Sequence, residues 1–129
     1  MEPKWLYRLE STTPENGLWY NSDNEYVWGC RNVPGDAKNL PMGYDERYHT
    51  DGKDWFSSCS NKEDLLHWYS LEDANYLINN GFVFTRYLAK DYIEYQNETV
   101  FLKNTALKRE VIDINKLFRG FRLTLYAAL

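Results

Sequence analysis

The tripeptide Asn79-Asn80-Gly81 constrains this chain more than any other stretch, because the hydrophobic period changes across it from helical to extended. Before it, Ala74, Leu77 and Ile78 follow Ser70-x-x-Asp73 at helical spacing. Directly after it, "FVFTRYL" (82–88) is rich in aromatic and β-branched residues. A glycine in left-handed conformation ends a helix and re-aims the chain, so a helix leaving at Asn79 and a strand entering at Phe82 are predicted as neighbours.

The same reading extends both ways. Ser60-x-x-Glu63 has the capping-box pattern, and Leu65, Leu66, Trp68 and Tyr69 follow it on a helical face. With the second cap at Ser70, two short helices or one kinked helix are expected over 61–79. Trp5-Leu6-Tyr7-Arg8-Leu9 alternates with period two, putting Leu6 and Arg8 on one face of a first strand and Trp5, Tyr7 and Leu9 on the other. Further strands are predicted at 99–102 and 109–114, with a terminal one in "FRLTLY" (121–126). Residues 11–54 carry three of the four prolines and most of the glycines, and form a long turn-rich excursion of the kind that often serves as a lid. The order strand, long loop, helices, then strands predicts an α+β fold with a mixed or antiparallel sheet and short helices. At 129 residues the chain, 1–129, is expected to form a single compact domain around one modest core.

Composition narrows the function classes. The net charge is −4, and no run of Lys or Arg forms the basic stripe that phosphate-backbone binding requires, so direct nucleic-acid binding is not expected. Cys30 and Cys59 form no CxxC and stand at no zinc-like spacing from His49 or His67, so no metal is expected. The first residues lack the basic and apolar regions of a signal peptide, and no stretch approaches the ~18 apolar residues of a membrane span. A cytoplasmic protein with reduced thiols and no membrane contact is therefore expected. Aromatic residues make up 17% of the chain, more than a core this small needs, which points to recognition surfaces or a pocket.

The seven glycines form neither a GxGxxG fingerprint nor a Walker loop, so any nucleotide must bind by another route. Three polar motifs do occur in a suggestive order: Arg8 in the first strand, "WFSSCS" (55–60) before the helix, and Gln96-Asn97-Glu98 before "TVFL" (99–102). In that order and on those elements, the chain resembles the ADP-ribosyltransferase fold of the arginine-serine-glutamate class. The texture of "FVFTRYLAKDYIEYQNETVFLKNTALKREVIDI" is also similar to that family's core run, and residues 55–114 carry most of the resemblance. Cys59 stands where the family usually has a small hydroxylic residue. The compact form, with "LYRLE" early and "ETVF" late, also looks like small phage-encoded transferase-like proteins that act against host defence such as CRISPR, in the host bacterial cytoplasm.

The resemblance implies NAD as substrate and transfer of ADP-ribose to a macromolecular acceptor, expected to be a protein. It assigns catalysis to Glu98, with Gln96 orienting the acceptor. Breaking the nicotinamide–ribose bond develops positive charge on the sugar, which a fixed carboxylate at the ribose hydroxyls stabilises. Arg8 offers a planar fork suited to the cofactor diphosphate. Ser58, with Ser57 or Ser60, would brace the glutamate and ribose by hydroxyl hydrogen bonds. Phe56, Trp68, Tyr69 and Tyr76 are candidates for the ring beneath the cationic nicotinamide, with Phe56 and Tyr69 preferred.

A second class of function fits the same composition. A non-catalytic inhibitor or adaptor would use an acidic, aromatic-rich surface to occupy a protein partner, with the three motifs serving the fold alone.

Overall fold

The first strand, β1 (Lys4–Ser11), explains the architecture, because both of its faces are covered. In the computed structural model, which describes residues 2–11, 34–35, 55–95 and 99–116, Leu9 of β1 packs into one apolar cluster and Leu6 into another. A strand buried on both faces must lie between two layers.

The remaining elements are β2 (Trp55–Ser58), α1 (Lys62–Trp68), α2 (Leu71–Asn79), β3 (Phe82–Ala89), β4 (Tyr92–Glu94), β5 (Thr99–Leu102), a 3-10 turn at Lys103–Thr105, and β6 (Lys108–Val111). All strand pairs are antiparallel and form two sheets, ordered β1-β3-β6 and β2-β5-β4. The sheets join where Tyr7 and Cys59 exchange backbone hydrogen bonds, Tyr7 N–H to the Cys59 carbonyl at 2.9 Å and the reverse at 2.7 Å. The lateral order is therefore β6-β3-β1-β2-β5-β4, with the middle junction made by that single bridge.

Register assigns the side chains to layers. Leu9 opposes Phe84, and both meet Leu65, Tyr69, Ala74, Leu77, Phe82, Cys59 and Ile114 in the helix-side core. Tyr69 meets Phe84 edge-on, with centroids 5.6 Å apart at 90°, the geometry that aromatic quadrupoles favour. Leu6 opposes Tyr87, and these two pack with Ala89 and Phe101 between the sheets, where the Tyr87 and Phe101 centroids are 5.1 Å apart. All four residues of β5 are buried, as expected of the central strand of its sheet.

The expected α+β class with antiparallel sheets and short helices is what the structure shows. Gly81 has φ 90°, the left-handed stop foreseen between α2 and β3. Helices α1 and α2 are separate, divided at Tyr69 and Ser70, and the Ser70 hydroxyl accepts the Asp73 N–H at 3.1 Å. Three expectations shift. The N-cap of α1 is Asn61, whose side-chain oxygen accepts the Asp64 N–H at 2.8 Å, because Ser60 directs its hydroxyl to Thr99 instead. The strand expected at 109–114 is Lys108–Val111, and Ile114 turns into the helix-side core. The short strand β4 carries too few residues to show a period and had no sequence signal. The expected strand at 121–126 and nearly all of the excursion 11–54 lie outside the described residues.

From that excursion, Pro34 and Gly35 are described, and Gly35 is fixed to α2: its N–H donates to Asp73 Oδ1 at 2.6 Å. Asp73 is 1% exposed, and a Cβ on Gly35 would lie 2.7 and 2.8 Å from its two carboxylate oxygens. Gly35→Ala therefore has to displace a buried carboxylate, and it is expected to cost about 1–3 kcal/mol. A urea denaturation midpoint lowered at constant slope checks this, and an unchanged midpoint would show that Asp73 yields freely.

Candidate functional site

On the inter-sheet face of β1 the residues are Leu6, Arg8 and Glu10, spaced by two and all buried. Glu10 is 0% exposed, which no carboxylate tolerates without partners. Its partners come from three other segments. The Tyr87 hydroxyl of β3 donates to the carboxylate, 2.8 and 2.9 Å from its two oxygens. Arg109 of β6 donates to Oε2 from Nη2 at 2.9 Å and from Nε at 3.1 Å. Lys103, in the turn after β5, places Nζ 3.6 Å from Oε1. Arg8 Nε lies 3.1 Å from Oε1 but off the N–H axis, so that contact is charge to charge rather than a hydrogen bond.

Aromatic rings complete the cluster. Arg8 Cζ lies 5.1 Å and Lys103 Nζ 4.3 Å from the centroid of Phe56, so one ring of β2 meets both cations. Arg8 Nη1 also donates to the Ser57 carbonyl at 3.2 Å. Burial falls outward along the cations: the side chains of Arg8, Lys103 and Arg109 are 5%, 16% and 30% exposed.

These surroundings shift two titrations. Burial, followed by the charge and the hydrogen bond of Glu10, pushes the Tyr87 phenol well above its ordinary value, although Arg109 and Arg8 act in the opposite sense. For Arg109, burial pulls downward, but the hydrogen bonds and charges of Glu10 and Tyr87 outweigh it and hold the guanidinium charged. Tyr87 is therefore a fixed neutral donor and Arg109 a fixed cation.

The motif residues divide as follows. Arg8, Phe56 and Ser57 meet through the contacts just given. The Ser58 hydroxyl donates to the Thr99 carbonyl at 2.6 Å, and Ser60 and Thr99 share a hydroxyl hydrogen bond of 2.7 Å. Ser58 and Thr99 are register partners, so β2 holds the start of β5 immediately after Gln96 and Glu98, which themselves lie outside the described residues. Tyr69 belongs to the helix-side core, on the other side of β1 from Phe56, as does Cys59. The sequence reading did not single out Glu10, Tyr87, Lys103 or Arg109. One signal was present: Glu10 shares the face of Leu6 and Arg8 two residues on, so an acidic side chain was due at a buried position.

Beside the cluster an open cleft of about 380 Å³ is lined by Tyr87, Lys103, Asn104, Leu107, Lys108 and Arg109, among others. No helix among the described residues is long and apolar enough to cross a membrane.

Removing the Glu10 carboxylate leaves the buried Arg8 guanidinium and two partly buried cations without their shared counter-charge, so Glu10→Ala is expected to cost about 3–5 kcal/mol by chemical denaturation. Tyr87→Phe removes one donor and is expected to cost about 1–3 kcal/mol. Because the folded-state ionisation of Tyr87 lies above the unfolded value of 10.0, its contribution is complete below that pH and is lost as pH rises through the folded value. The stability advantage of the natural protein over Tyr87→Phe should therefore be constant below pH 10 and shrink above it; an advantage that grows with alkalinity would contradict the assignment.

Compared with protein-family models, with curated proteins and with solved structures, the chain has no match in any of the three.

Proposed function

We propose that the chain is a small ADP-ribosyltransferase-like protein that uses NAD to modify a macromolecular acceptor, with Glu98 as the catalytic carboxylate and Gln96 beside it. The observation that supports this reading is the lateral adjacency of β1, β2 and β5, the strand that follows Gln-x-Glu in sequence: Arg8 on β1 contacts Ser57 on β2, and Ser58 on β2 contacts Thr99 at the head of β5. Two of the three motifs, from distant parts of the sequence, are thus neighbours, and the strand that follows the third lies beside them. In this reading the Ser58–Thr99 hydrogen bond fixes the start of the strand that follows Glu98 in sequence, and Phe56 offers a ring beside Arg8.

NAD would supply the activated bond between nicotinamide and ribose. The described residues fit it in part. Arg8 is 5% exposed and engaged with Ser57 and Glu10, so in this reading it holds β1 against β2 rather than reaching the diphosphate directly. The more accessible cations of the cluster are Lys103 and Arg109, at 16% and 30%. Glu98 would stabilise the charge that develops on the sugar, and a dry, rigid support makes such stabilisation strong. An acceptor of protein type, in the setting of a phage factor acting on host defence such as CRISPR, belongs to the same proposal.

The burial of Arg8 favours a second reading. Both Arg8 and Ser58 have sufficient structural employment without any ligand, as a non-catalytic binding protein would require.

Two measurements separate the readings. NAD at 100 times its dissociation constant should stabilise the folded state by about 2.7 kcal/mol in a thermal melt. Glu98→Gln should retain that shift while label transfer from NAD falls by roughly 10²–10³. Absence of any shift at millimolar NAD would overturn the transferase reading, and equal transfer by both proteins would remove Glu98 from it.

A further inference from the structure

We propose that the cleft between the 3-10 turn and β6 is a binding site for a small molecule bearing a diphosphate. Its size suits such a ligand: about 380 Å³ lies in the lower part of the roughly 300–1,000 Å³ range of small-molecule sites. Its chemistry is one-sided. Lys103, Lys108 and Arg109 line it together with the Asn104 amide, and no carboxylate lines it among the described residues. Glu10 does not line the cleft and is 0% exposed, and the two hydrogen bonds it accepts from Arg109 fix the orientation of that guanidinium.

Rigidity distinguishes this wall from an ordinary basic surface. Arg109 is set by Glu10 and by the Tyr87 oxygen, which accepts from Nε at 3.1 Å. Lys103 is set by Glu10 and the Phe56 ring. The backbone between them is closed by the Ala106 N–H donating to the Lys103 carbonyl at 3.1 Å and the Leu107 N–H to the Leu88 carbonyl at 2.8 Å. Cations held in place forfeit less conformational entropy when an anion arrives, which favours binding over diffuse counterion attraction. Three positive groups around one small cleft match an anion of several charges better than a single carboxylate. Leu107, 55% exposed, offers an apolar face to whatever the diphosphate carries. A nucleic-acid strand fits less well, since the chain is acidic overall at −4 and the cations gather in one cleft rather than along a track.

The site requires neither Glu98 nor any transfer reaction, so its test is independent of the transferase reading. Inorganic pyrophosphate is titrated into the full chain at constant ionic strength, followed by calorimetry and by amide chemical shifts, alongside inorganic phosphate and a short single-stranded oligonucleotide. The expected result is saturable binding of pyrophosphate, tighter than phosphate, with shifts centred on Asn104, Lys108 and Arg109. Lys108→Ala, at an exposed edge position, should weaken binding roughly tenfold with an unchanged melting temperature. Lys62→Ala, exposed on α1 and outside the cleft, should leave it unchanged. Arg109→Lys keeps the charge but loses the fork, and should also weaken binding. The proposal is overturned by absence of saturation, by equal weakening in Lys62→Ala, or by an oligonucleotide that binds more tightly than pyrophosphate with shifts spread over the surface.

Discussion

A carboxylate shut away from water organises this protein. Glu10 is reached by Tyr87, Arg8, Lys103 and Arg109, which stand on β3, on its own strand, in the turn after β5 and on β6. Apolar contacts would hold these layers together in many relative placements, because burial has no direction. Hydrogen bonds and ion pairs at a dry centre admit few, since a displaced partner leaves a charge without solvation. The cluster thus fixes the inter-sheet spacing, at a desolvation cost that a purely apolar filling would avoid.

The local code of the chain was largely legible. The Ser70 cap, the Gly81 stop and the strands at 82–89 and 99–102 follow from capping chemistry and period, which act over a few residues. The N-cap of α1 was misplaced by one residue because Ser60 and Asn61 are both competent caps, and only the distant Thr99 decides between them. The buried cluster was legible only from one side. Arg8 was noticed, but the groups that explain it lie on strands paired through long-range register, and no local pattern in "LYRLE" names Tyr87 or Arg109. Of the motif trio, the approach of Ser58 to Thr99 follows from register, whereas the different sides taken by Phe56 and Tyr69 depend on how β1 divides the core in two.

The two proposed activities meet at Phe56. Its ring touches Arg8, which leads to the serine strand, and Lys103, which leads to the cleft, so the surface ascribed to NAD and the surface ascribed to a diphosphate share one aromatic support. Charge is graded across it, from a guanidinium sealed inside to one a third exposed at the rim. An anion approaching from the rim meets fixed positive groups backed by low-dielectric protein, where their attraction is screened least.

The position of β1 also sets the order in which the molecule can be made. It is the first strand of the chain, yet its partner β3 begins at Phe82 and the guanidinium that satisfies Glu10 lies 99 residues further on. At ribosomal rates of roughly 5–20 residues per second, about 5–20 s pass between synthesis of Glu10 and of Arg109. Until β3 is made, β1 lacks its long antiparallel partner, and loop closure over much of the chain must come before its reward. The acidic side chain that later locks the interior is, until then, one of the charged groups, with Lys4 and Arg8, that keep this segment compatible with water.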